Sequence, residues 1–391
     1  MDALSRDCDE REDHRFQIAQ RVLGEWFGDV RAFGDVRAFG DVRALNTAIG
    51  DTVISVNRNR PGMSGSLVFR VTTSSGDTLA LKGYSIGTTV DRVTEIHSVM
   101  QTARNNGCDL VAELVPRRTR SQSQTHPTIC VFGDRCWELT RWVEGHPFNQ
   151  FDDSKAIRDA VSKGATAIAR FHDALRGLGG SGPFGACQPA PCIAARIHRI
   201  KEIDGDIASL FGANLNQIAN PDLRRSLGKC VERLRAKWRN ASGSLARSLD
   251  IQAKIPQPCS YVMRDIHHQH IFFASNPQNG LLLPVVSGII DFDAVRVDSP
   301  ATDLARWTSS FLGNGSSVQH LWDAALAGYR LQSSLNVQQE ALFRGLIPAT
   351  AWISLANWAI WLVLQRRSFP VEDLAIAERI EQCVRIVDSI G

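Results

Sequence analysis

Apolar and polar residues alternate along much of the chain between residues 51 and 143. A period of two residues, with β-branched and aromatic side chains and with glycine near the boundaries, predicts β-strands with one buried face. The candidate strands are Thr52–Val56, Leu67–Thr73, Thr78–Tyr84, Val111–Pro116, Thr128–Phe132 and Cys136–Val143. From these candidates we expect a five-stranded antiparallel sheet.

Other segments repeat their apolar residues every three to four positions, which predicts helices with one buried face. One such helix precedes the sheet, one lies within it, and the region after residue 143 is mainly helical. The last predicted helix is strongly apolar, but Pro348 and Asn357 interrupt it, so we expect a buried helix and not a membrane span. The predicted helices are residues 11–27, Thr88–Asn106, Lys155–Leu178, two or three helices within residues 193–250, and Leu346–Leu364.

A hexapeptide is repeated almost exactly between Gly28 and Leu45, as GDVRAF, GDVRAF and GDVRAL. A period of six is much shorter than the 20 or more residues of common structural repeats. We therefore expect an insertion at a tolerant position, without a catalytic role. The predicted organisation is an N-terminal helix and repeat extension at residues 1–50, a β-rich lobe at residues 51–143 and a helical lobe at residues 144–391.

The composition indicates a globular protein, with 43% hydrophobic and 22% charged residues. A net charge of +3 gives no strong case for a nucleic-acid or membrane partner, and we expect neither. The nine cysteines form no C-x-x-C pair, and no signal peptide opens the sequence, so we expect a cytoplasmic protein with reduced thiols. A disulfide or metal site at Cys187 and Cys192 is the alternative.

Candidate chemistry concentrates in a predicted β-hairpin. The apolar runs Ile271–Ala274 and Leu281–Ile290 flank a segment rich in turn-forming residues. Asp265 precedes the first strand and Asp291 ends the second, so the hairpin brings both carboxylates to one place. Two adjacent carboxylates indicate a divalent cation and acid–base chemistry, which predicts an enzyme.

The motifs around this hairpin resemble those of the protein-kinase-like fold. Met263-Arg264-Asp265 stands where H-R-D is expected, and Asp291-Phe292-Asp293 stands where D-F-G is expected. The segment Asp298–Leu304 that follows is similar to that of the aminoglycoside phosphotransferase and choline kinase branch. The resemblance implies an α+β, bilobal fold, with a small antiparallel β lobe containing one helix and a larger, mainly helical lobe with the catalytic β-hairpin.

The resemblance also implies roles for individual residues. Asp265 is expected to be the base that orients the acceptor hydroxyl, Asp291 to bind Mg²⁺, and Asp303 to hold the loop together. Where the family has asparagine as a metal ligand, this chain has His270. Because Mg²⁺ prefers oxygen ligands, His270 either contacts phosphate or water, or leaves a single metal, or shifts the preference toward Mn²⁺, or weakens catalysis.

The nucleotide site of the family corresponds to the predicted sheet. The resemblance implies that the glycine-containing loop contacts phosphates, that Lys82 contacts the α- and β-phosphates, and that Glu95 is the ion-pair partner of Lys82. Residues 138–142 correspond to the hinge that binds adenine, whereas His97 and His172 are expected to be buried structural histidines. The candidate nucleotide-binding residues are Gly62, Ser64, Gly65, Lys82, Glu95, Thr140 and Trp142, and the implied cofactors are ATP with Mg²⁺ or Mn²⁺.

Three functions are consistent with these motifs. The first is an ATP-dependent phosphotransferase that moves the γ-phosphate to a hydroxyl of a small-molecule acceptor. The second is a nucleotide-binding pseudokinase that acts through a protein partner, as indicated by Met263 and His270 in place of the family residues. The third is a metallohydrolase with Asp265, His267, His268 and His270 around a transition metal, although adjacent strand residues point to opposite faces.

The acceptor is not determined by these motifs. Glu202, Asp204 and Asp206 lie within the predicted helical region 193–250, which we expect to shape the acceptor site. They are candidates for binding a cationic acceptor, but a run of charged residues is more commonly a solvated helix face.

Overall fold

The computed structural model describes residues 2–27, 53–58, 65–117, 126–178, 187–275 and 284–390. The hexapeptide repeat lies outside these residues. The chain divides into two compact units: the first comprises Met1–Gln101 and Ala112–Trp142, and the second comprises Thr102–Val111 and Val143–Gly391. The predicted boundaries at residues 50 and 143 stay predictions.

The first unit contains a five-stranded antiparallel sheet in the order β1-β2-β3-β5-β4. Burial alternates along β2 and β3, because their apolar residues occupy every second position. Neighbouring strands pair in antiparallel register throughout the sheet. The strands are β1 (Val53–Arg58), β2 (Leu67–Thr73), β3 (Thr78–Gly83), β4 (Cys130–Phe132) and β5 (Arg135–Arg141).

The predicted strand Val111–Pro116 was wrong. This segment makes only single bridges, one between Leu114 and Thr140 and one between Val111 and Ile289. Val115 donates a backbone hydrogen bond to Leu139, but Pro116 has no N–H with which to extend the pairing. The five-stranded sheet therefore forms from the other five candidates.

The N-terminal helix α1 (Asp2–Phe27) packs against this sheet. Its apolar residues share one buried cluster with the sheet, and Trp26 Nε1 donates a 2.8 Å hydrogen bond to the carbonyl of Val115. The ring of Phe16 meets that of Phe69 edge-on, with 5.7 Å between centroids. The helix predicted at residues 11–27 is confirmed as part of a longer one, and it belongs to the core of the first unit.

Helix α2 (Val90–Asn105) follows β3, close to its predicted bounds. Thr89 Oγ1 accepts a 3.2 Å hydrogen bond from Arg92 N, which satisfies one of the free N–H groups at the helix start. After the last turn the chain passes through Gly107 at φ +89°, a conformation in which glycine has no steric cost. The division between the two units falls within α2, after Gln101.

The second unit is mainly helical. Asp153 caps α3 by accepting from the N–H groups of Lys155 and Ala156, and α8 begins with a capping box between Asn336 and Gln339. Residues 193–250 are covered by two long helices with a 3₁₀ turn, Leu215–Gln217, between them. The helices are α3 (Ser154–Ala174), α4 (Pro191–Gly212), α5 (Pro221–Gln252), α6 (Ala301–Ser309), α7 (Val318–Arg330), α8 (Val337–Ala359) and α9 (Asp373–Ser389).

Helix α8 continues into a π-helical turn, Ile360–Leu364. Of the helices described, the stretch Val337–Leu364 is the one long and apolar enough to cross a membrane by length and composition. Within its most apolar window, 67% of the residues are buried inside the protein. Such burial is what the sequence predicts for a core helix.

Short strands in the second unit flank the loop of residues 263–270, which contains Asp265. Strand β10 pairs with β11 on one side and with β6 on the other, while β9 pairs with β12 and β7 with β8. The predicted hairpin is confirmed as β10 and β11, with its connecting residues 276–283 outside the described part. These strands are β6 (His146–Pro147), β7 (Cys187–Gln188), β8 (Gln257–Pro258), β9 (Ser260–Val262), β10 (Ile271–Ser275), β11 (Pro284–Ile289) and β12 (Arg296–Asp298).

Seven cysteines whose side chains the structure describes are free thiols. Cys192 is a buried free cysteine, and burial raises the pKa of its thiol to about 12. The alternative of a disulfide between Cys187 and Cys192 was therefore wrong. Across the described ranges no group of three or more His, Cys, Asp or Glu side chains is arranged to hold a metal ion.

Candidate active site

The loop between β9 and β10 is fastened to helix α6 through one carboxylate. Asp303 Oδ2 accepts a 2.7 Å hydrogen bond from the N–H of Met263, and Oδ1 accepts a 2.6 Å bond from that of Arg264. Arg264 has φ of +66°, which is strained for a residue with a side chain and costs on the order of 1–3 kcal/mol. Two charge-assisted hydrogen bonds offset that cost. The structural role predicted for Asp303 is confirmed.

Asp303 also joins three helices of the second unit. His172 on α3 lies 3.0 Å from Asp303 Oδ2 through Nε2, and its Nδ1 lies 2.9 Å from the hydroxyl of Tyr329 on α7. Because a carboxylate only accepts, Nε2 of His172 donates to Asp303. Burial raises the pKa of Tyr329, so its hydroxyl remains a donor. The predicted structural role of His172 is confirmed.

Asp265 follows the strained residue and is the exposed carboxylate of the loop, with 57% of its side chain accessible. Both Nε and Nη2 of Arg306 lie 3.0 Å from Asp265 Oδ1. Arg306 is on α6, three residues after Asp303, so the two side chains share one helix face. Sequence reasoning missed Arg306, although this spacing was a usable signal.

The hairpin brings His270 close to Asp291, whereas the sequence predicted that it brings Asp265 and Asp291 together, which stays a prediction. The N–H of Ile290 donates to the carbonyl of His270 at 2.9 Å, and His270 Nε2 lies 3.5 Å from Asp291 Oδ2. Asp291 has φ of +66°, which aspartate tolerates better than most residues. Burial lowers the pKa of His270, as does the charge of Arg306, whereas Asp291 and Asp265 oppose that shift. The imidazole is therefore a neutral nitrogen donor beside a carboxylate.

This donor pair fits a divalent cation bound together with a phosphate. Asp291 offers a hard oxygen and His270 a neutral nitrogen, and His270 Nδ1 is buried without a hydrogen-bond partner. A metal that keeps several waters and contacts substrate phosphates needs few protein ligands. The carboxylate oxygen suits both Mg²⁺ and Mn²⁺, whereas the imidazole nitrogen suits Mn²⁺ better. This donor set is therefore consistent with either ion. The assignment of Asp291 and His270 as metal ligands stays a prediction.

The three neighbouring histidines do not converge on one point. The His267 ring stacks on His270, with 3.8 Å between centroids, whereas His268 packs edge-on against Phe151 at 5.1 Å. His267 Nδ1 accepts from the N–H of Gln269 at 3.3 Å. Burial lowers the pKa of His268 to about 4, so its ring is neutral near pH 7. This geometry gives no support to the metallohydrolase hypothesis.

A buried polar network lies in the first unit, centred on Glu138 of β5. Glu138 Oε2 accepts a 2.5 Å hydrogen bond from the Tyr84 hydroxyl and lies 2.7 Å from His97 Nε2. His97 Nδ1 in turn lies 2.7 Å from Thr128 Oγ1, which confirms His97 as a structural histidine. Lys82 is the register partner of Glu138 in the sheet, and its Nζ lies 5.0 Å from the centroid of the Tyr84 ring.

The neighbours of Glu138 stabilise its negatively charged carboxylate. Burial by itself would raise its pKa, but the hydrogen bond and charge of His97, the charge of Lys82 and the hydrogen bond from Tyr84 outweigh burial and lower it. Sequence reasoning missed this network. A glutamate within the continuously buried strand β5 was the available signal, because a buried carboxylate requires partners.

The remaining predicted nucleotide-binding residues are Glu95, Trp142, Gly65, Thr140, Gly62 and Ser64, and the structure describes the first four. Glu95 Oε2 is 2.5 Å from Arg92 Nη1, and the predicted pair of Glu95 with Lys82 stays a prediction. Trp142 N donates to the carbonyl of Thr78 at 3.0 Å. Gly65 has φ of +74°, Thr140 is buried in β5, and Gly62 and Ser64 lie outside the described residues.

The Glu138 network predicts a pH-dependent contribution to stability. We expect Glu138→Gln to lower the free energy of unfolding by about 2 kcal/mol at pH 7, because charge-assisted hydrogen bonds are lost. The pKa of Glu138 is lower in the folded state than its unfolded value of 4.5, so the carboxylate stabilises the folded protein at pH values above 4.5. This stabilisation disappears as the pH falls through the lower folded pKa. Urea unfolding of wild type and variant from pH 7 down to pH 3 measures the difference.

The matched control is Glu113→Gln, because the Glu113 side chain is 56% exposed and lies 3.9 Å from Arg141. We expect it to change stability by less than about 0.5 kcal/mol at every pH. Equal stability of wild type and Glu138→Gln at pH 7 contradicts the role assigned to the network.

A sequence model of the phosphotransferase enzyme family matches residues 55–332. The chain belongs to this family. The match covers the sheet of the first unit and, in the second, the loop with Asp265, the hairpin and helices α3 to α7. No curated protein sequence matches the chain.

Solved structures of small-molecule kinases share the fold of this phosphotransferase family member. A microcompartment-associated aminopropanol kinase is 14% identical, and the match covers 95% of each chain with a TM-score of 0.56. An aminoglycoside phosphotransferase from Alicyclobacillus acidocaldarius is 16% identical, covering 92% of this chain and 96% of the other, with a TM-score of 0.52. Amicoumacin kinase, in complex with AMP-PNP and Ca²⁺, is 13% identical, covering 84% and 88%, with a TM-score of 0.52.

These comparisons confirm two predictions from the sequence. The first is the phosphotransferase enzyme family, and the second is the α+β, protein-kinase-like fold with a small antiparallel sheet and a larger helical part. At such low identities the structural likeness shows the fold alone. The nucleotide and the acceptor are matters of proposal.

Proposed function

We propose that this phosphotransferase moves the γ-phosphate of ATP to a hydroxyl group of a small-molecule acceptor. The observation that supports it most directly is the loop fastened by Asp303. That loop presents the carboxylate of Asp265, and the adjoining hairpin presents Asp291 beside His270. Phosphoryl transfer depends on positioning and charge neutralisation more than on covalent chemistry by the protein, and these residues are suited to both.

A nucleotide with a divalent cation is part of the proposal. The complex of amicoumacin kinase with AMP-PNP and Ca²⁺ supports it by likeness of fold. In this chain Asp291 and His270 would hold the cation, which when bound neutralises phosphate charge. In the first unit Lys82 is the proposed contact to the phosphates, and residues 138–142 are proposed to bind adenine through their backbone.

Asp265 is the proposed catalytic residue. Its carboxylate orients the acceptor hydroxyl and accepts its proton as the oxygen attacks the γ-phosphorus. Asp303 acts through the loop backbone, since its hydrogen bonds to Met263 and Arg264 set the direction in which the next residue leaves the loop. Asp303 is therefore a positioning residue.

The test is ATP consumption by the purified protein across a library of hydroxyl metabolites, with the phosphate ester identified by mass spectrometry. We expect at least one acceptor to yield ADP and a phosphate ester in a one-to-one ratio, with a requirement for Mg²⁺ or Mn²⁺. Nucleotide binding with no transfer to any acceptor and either metal contradicts the proposal and favours the pseudokinase alternative.

His270 offers a separate test of the metal assignment. We expect His270→Asn to keep or raise activity with Mg²⁺ and to reduce the preference of the wild type for Mn²⁺. An asparagine carbonyl is a hard oxygen donor, whereas a neutral imidazole favours softer ions. The ratio of kcat/KM with Mn²⁺ to that with Mg²⁺, measured for both proteins, reports the change.

The control for this ratio is His198→Asn, because His198 on α4 is 75% exposed and pairs with Glu202 at 3.3 Å. We expect its metal ratio to equal that of the wild type. An equal loss of activity with both metals in His270→Asn removes His270 from the metal shell and leaves it a phosphate-side or packing residue.

A further inference from the structure

Helix α6 contacts three consecutive residues of the loop that carries Asp265. Asp303, in its first turn, accepts hydrogen bonds from the N–H groups of Met263 and Arg264 at 2.7 and 2.6 Å. Arg306, three residues later, contacts the side chain of the next loop residue, Asp265. Because residues three apart are neighbours on a helix surface, one face of α6 meets both the loop backbone and the proposed catalytic side chain.

The contact between Arg306 and Asp265 is made by two nitrogens to one oxygen. Nε and Nη2 of Arg306 both lie 3.0 Å from Oδ1 of Asp265. These two nitrogens belong to a planar group whose N–H bonds have fixed directions, so the contact restricts both the position and the orientation of the carboxylate. Since both contacts are made to Oδ1, the second oxygen, Oδ2, is the one that we assign to the acceptor hydroxyl.

The proposed reaction requires this restriction. The Asp265 side chain is 57% exposed, and an exposed side chain exchanges between staggered rotamers on a fast timescale. Phosphoryl transfer depends on positioning, and a misplacement of about 1 Å costs about 100-fold in rate. The hydrogen bonds to Asp303 fix the backbone that precedes Asp265, whereas the carboxylate itself needs a separate contact.

The helix that supplies Arg306 is firmly packed. Trp307, the next residue, is 0% exposed, and its Nε1 donates a 2.9 Å hydrogen bond to the carbonyl of Val161 on α3. Gly164, also on α3, lies so close to the Trp307 indole that there is no room for a Cβ at this position. The Arg306 side chain is itself only 21% exposed. It therefore reaches Asp265 from a fixed backbone position.

The same contact has little value for stability. An ion pair with an exposed partner stabilises a protein only slightly, because water screens the charges. A purely structural role for Arg306 therefore predicts a small effect of its removal on both stability and turnover. A role in orienting Asp265 predicts a large effect on turnover with a small effect on stability.

We propose that Arg306 is a positioning residue, which holds Oδ1 of Asp265 so that Oδ2 faces the acceptor hydroxyl and receives its proton. This inference rests on the proposed function and adds a second contact to that of Asp303. Asp303 sets the direction of the loop backbone, and Arg306 sets the direction of the carboxylate. Arg306 exchanges no proton and forms no bond in the reaction.

The first experiment measures turnover in Arg306→Gln and Arg306→Lys with the identified acceptor. We expect Arg306→Gln to lower kcat about 10–100-fold and to leave the KM for nucleotide within about threefold, because Arg306 acts through Asp265. Arg306→Lys keeps the charge but loses the paired N–H groups, so it should regain part of the kcat. The thermal midpoints should fall by no more than about 3 °C.

The matched control is Arg170→Gln. Arg170 on α3 is 36% exposed and lies 2.8 Å from Asp109, which is 77% exposed, so it forms a similar pair elsewhere on the second unit. We expect this variant to keep the kcat of the wild type. A kcat of Arg306→Gln equal to that of the wild type overturns the inference.

A double-mutant cycle tests whether Arg306 acts through Asp265. When Asp265→Asn has already removed the carboxylate, adding Arg306→Gln should lower kcat by less than about twofold more, because contacting residues are coupled. Independent effects that multiply in the double variant would show that Arg306 acts by another route and would overturn the inference.

Crystal structures of the wild type and Arg306→Gln give a readout that does not require activity. We expect one conformer of the Asp265 side chain in the wild type, and a displaced or divided one in the variant. In a protein that phosphorylates no acceptor, this displacement upholds the positioning contact and contradicts only the kinase function. An unchanged Asp265 conformer in Arg306→Gln overturns the inference, whether or not transfer is found. If Arg306→Gln does not fold, Arg306→Lys provides the same comparisons.

Discussion

Asp265→Asn is expected to lower kcat by about 10²–10⁴-fold, the range for loss of a positioned general base, with nearly unchanged nucleotide affinity. An amide keeps the shape of the side chain but accepts a proton poorly and no longer attracts the acceptor hydroxyl. The nucleotide is not proposed to contact Asp265, so its dissociation constant reports on folding and not on the base. Steady-state kinetics with the identified acceptor and calorimetry with ADP give the two quantities.

Asp109→Asn serves as the control for the charge change. Asp109 is 77% exposed and pairs with Arg170 at 2.8 Å on the surface of the second unit. We expect it to retain the kcat of the wild type. A kcat of Asp265→Asn close to that of the wild type contradicts the assignment of the base.

The second large effect is expected at Asp291. We expect Asp291→Ala to reduce metal-dependent turnover by about 10³-fold or more. The bound cation neutralises phosphate charge and thereby stabilises the transition state by several kcal/mol. The loss should not be recovered by raising Mg²⁺ to millimolar levels if Asp291 is an obligatory ligand. A titration of activity against Mg²⁺ and against Mn²⁺ measures both features.

Backbone strain at Asp291 requires a companion variant. Because φ is +66°, alanine at this position is strained by itself, whereas asparagine adopts this conformation more readily. Asp291→Asn therefore removes the charge with less effect on folding. If Asp291→Asn matches the wild type in turnover and in metal dependence, the metal assignment is refuted, whatever the behaviour of Asp291→Ala.

Much of the candidate site was predictable from the sequence because its determinants are local. The hairpin follows from two apolar runs around turn-forming residues, and its geometry brings His270 to Asp291. Asp303 was predictable only through the resemblance to a family, since nothing in a single buried aspartate indicates that it accepts from Met263 and Arg264. The sequence motif identified the residue, and the structure shows the contacts that give it its role.

Other features depend on contacts between residues far apart in the chain. Glu138 meets His97 across 41 positions, and Asp265 meets Arg306 across 41 positions as well. Local periodicity carries no information on such pairs. The same limit explains the wrong strand at Val111–Pro116, where the residues favour a strand but a single bridge, between Leu114 and Thr140, joins the segment to the sheet.

The position of α1 sets a practical limit on shortening the protein. The family match begins at residue 55, yet Trp26 is only 2% exposed and Leu23 0%, because both are covered by the sheet. A polypeptide cut to residues 55–332 would leave the apolar face under α1 open to water and would also lack α8 and α9. Exposed apolar patches of this kind promote aggregation. Soluble expression for the experiments above therefore requires the N-terminal helix, although it lies outside the part of the chain that defines the family.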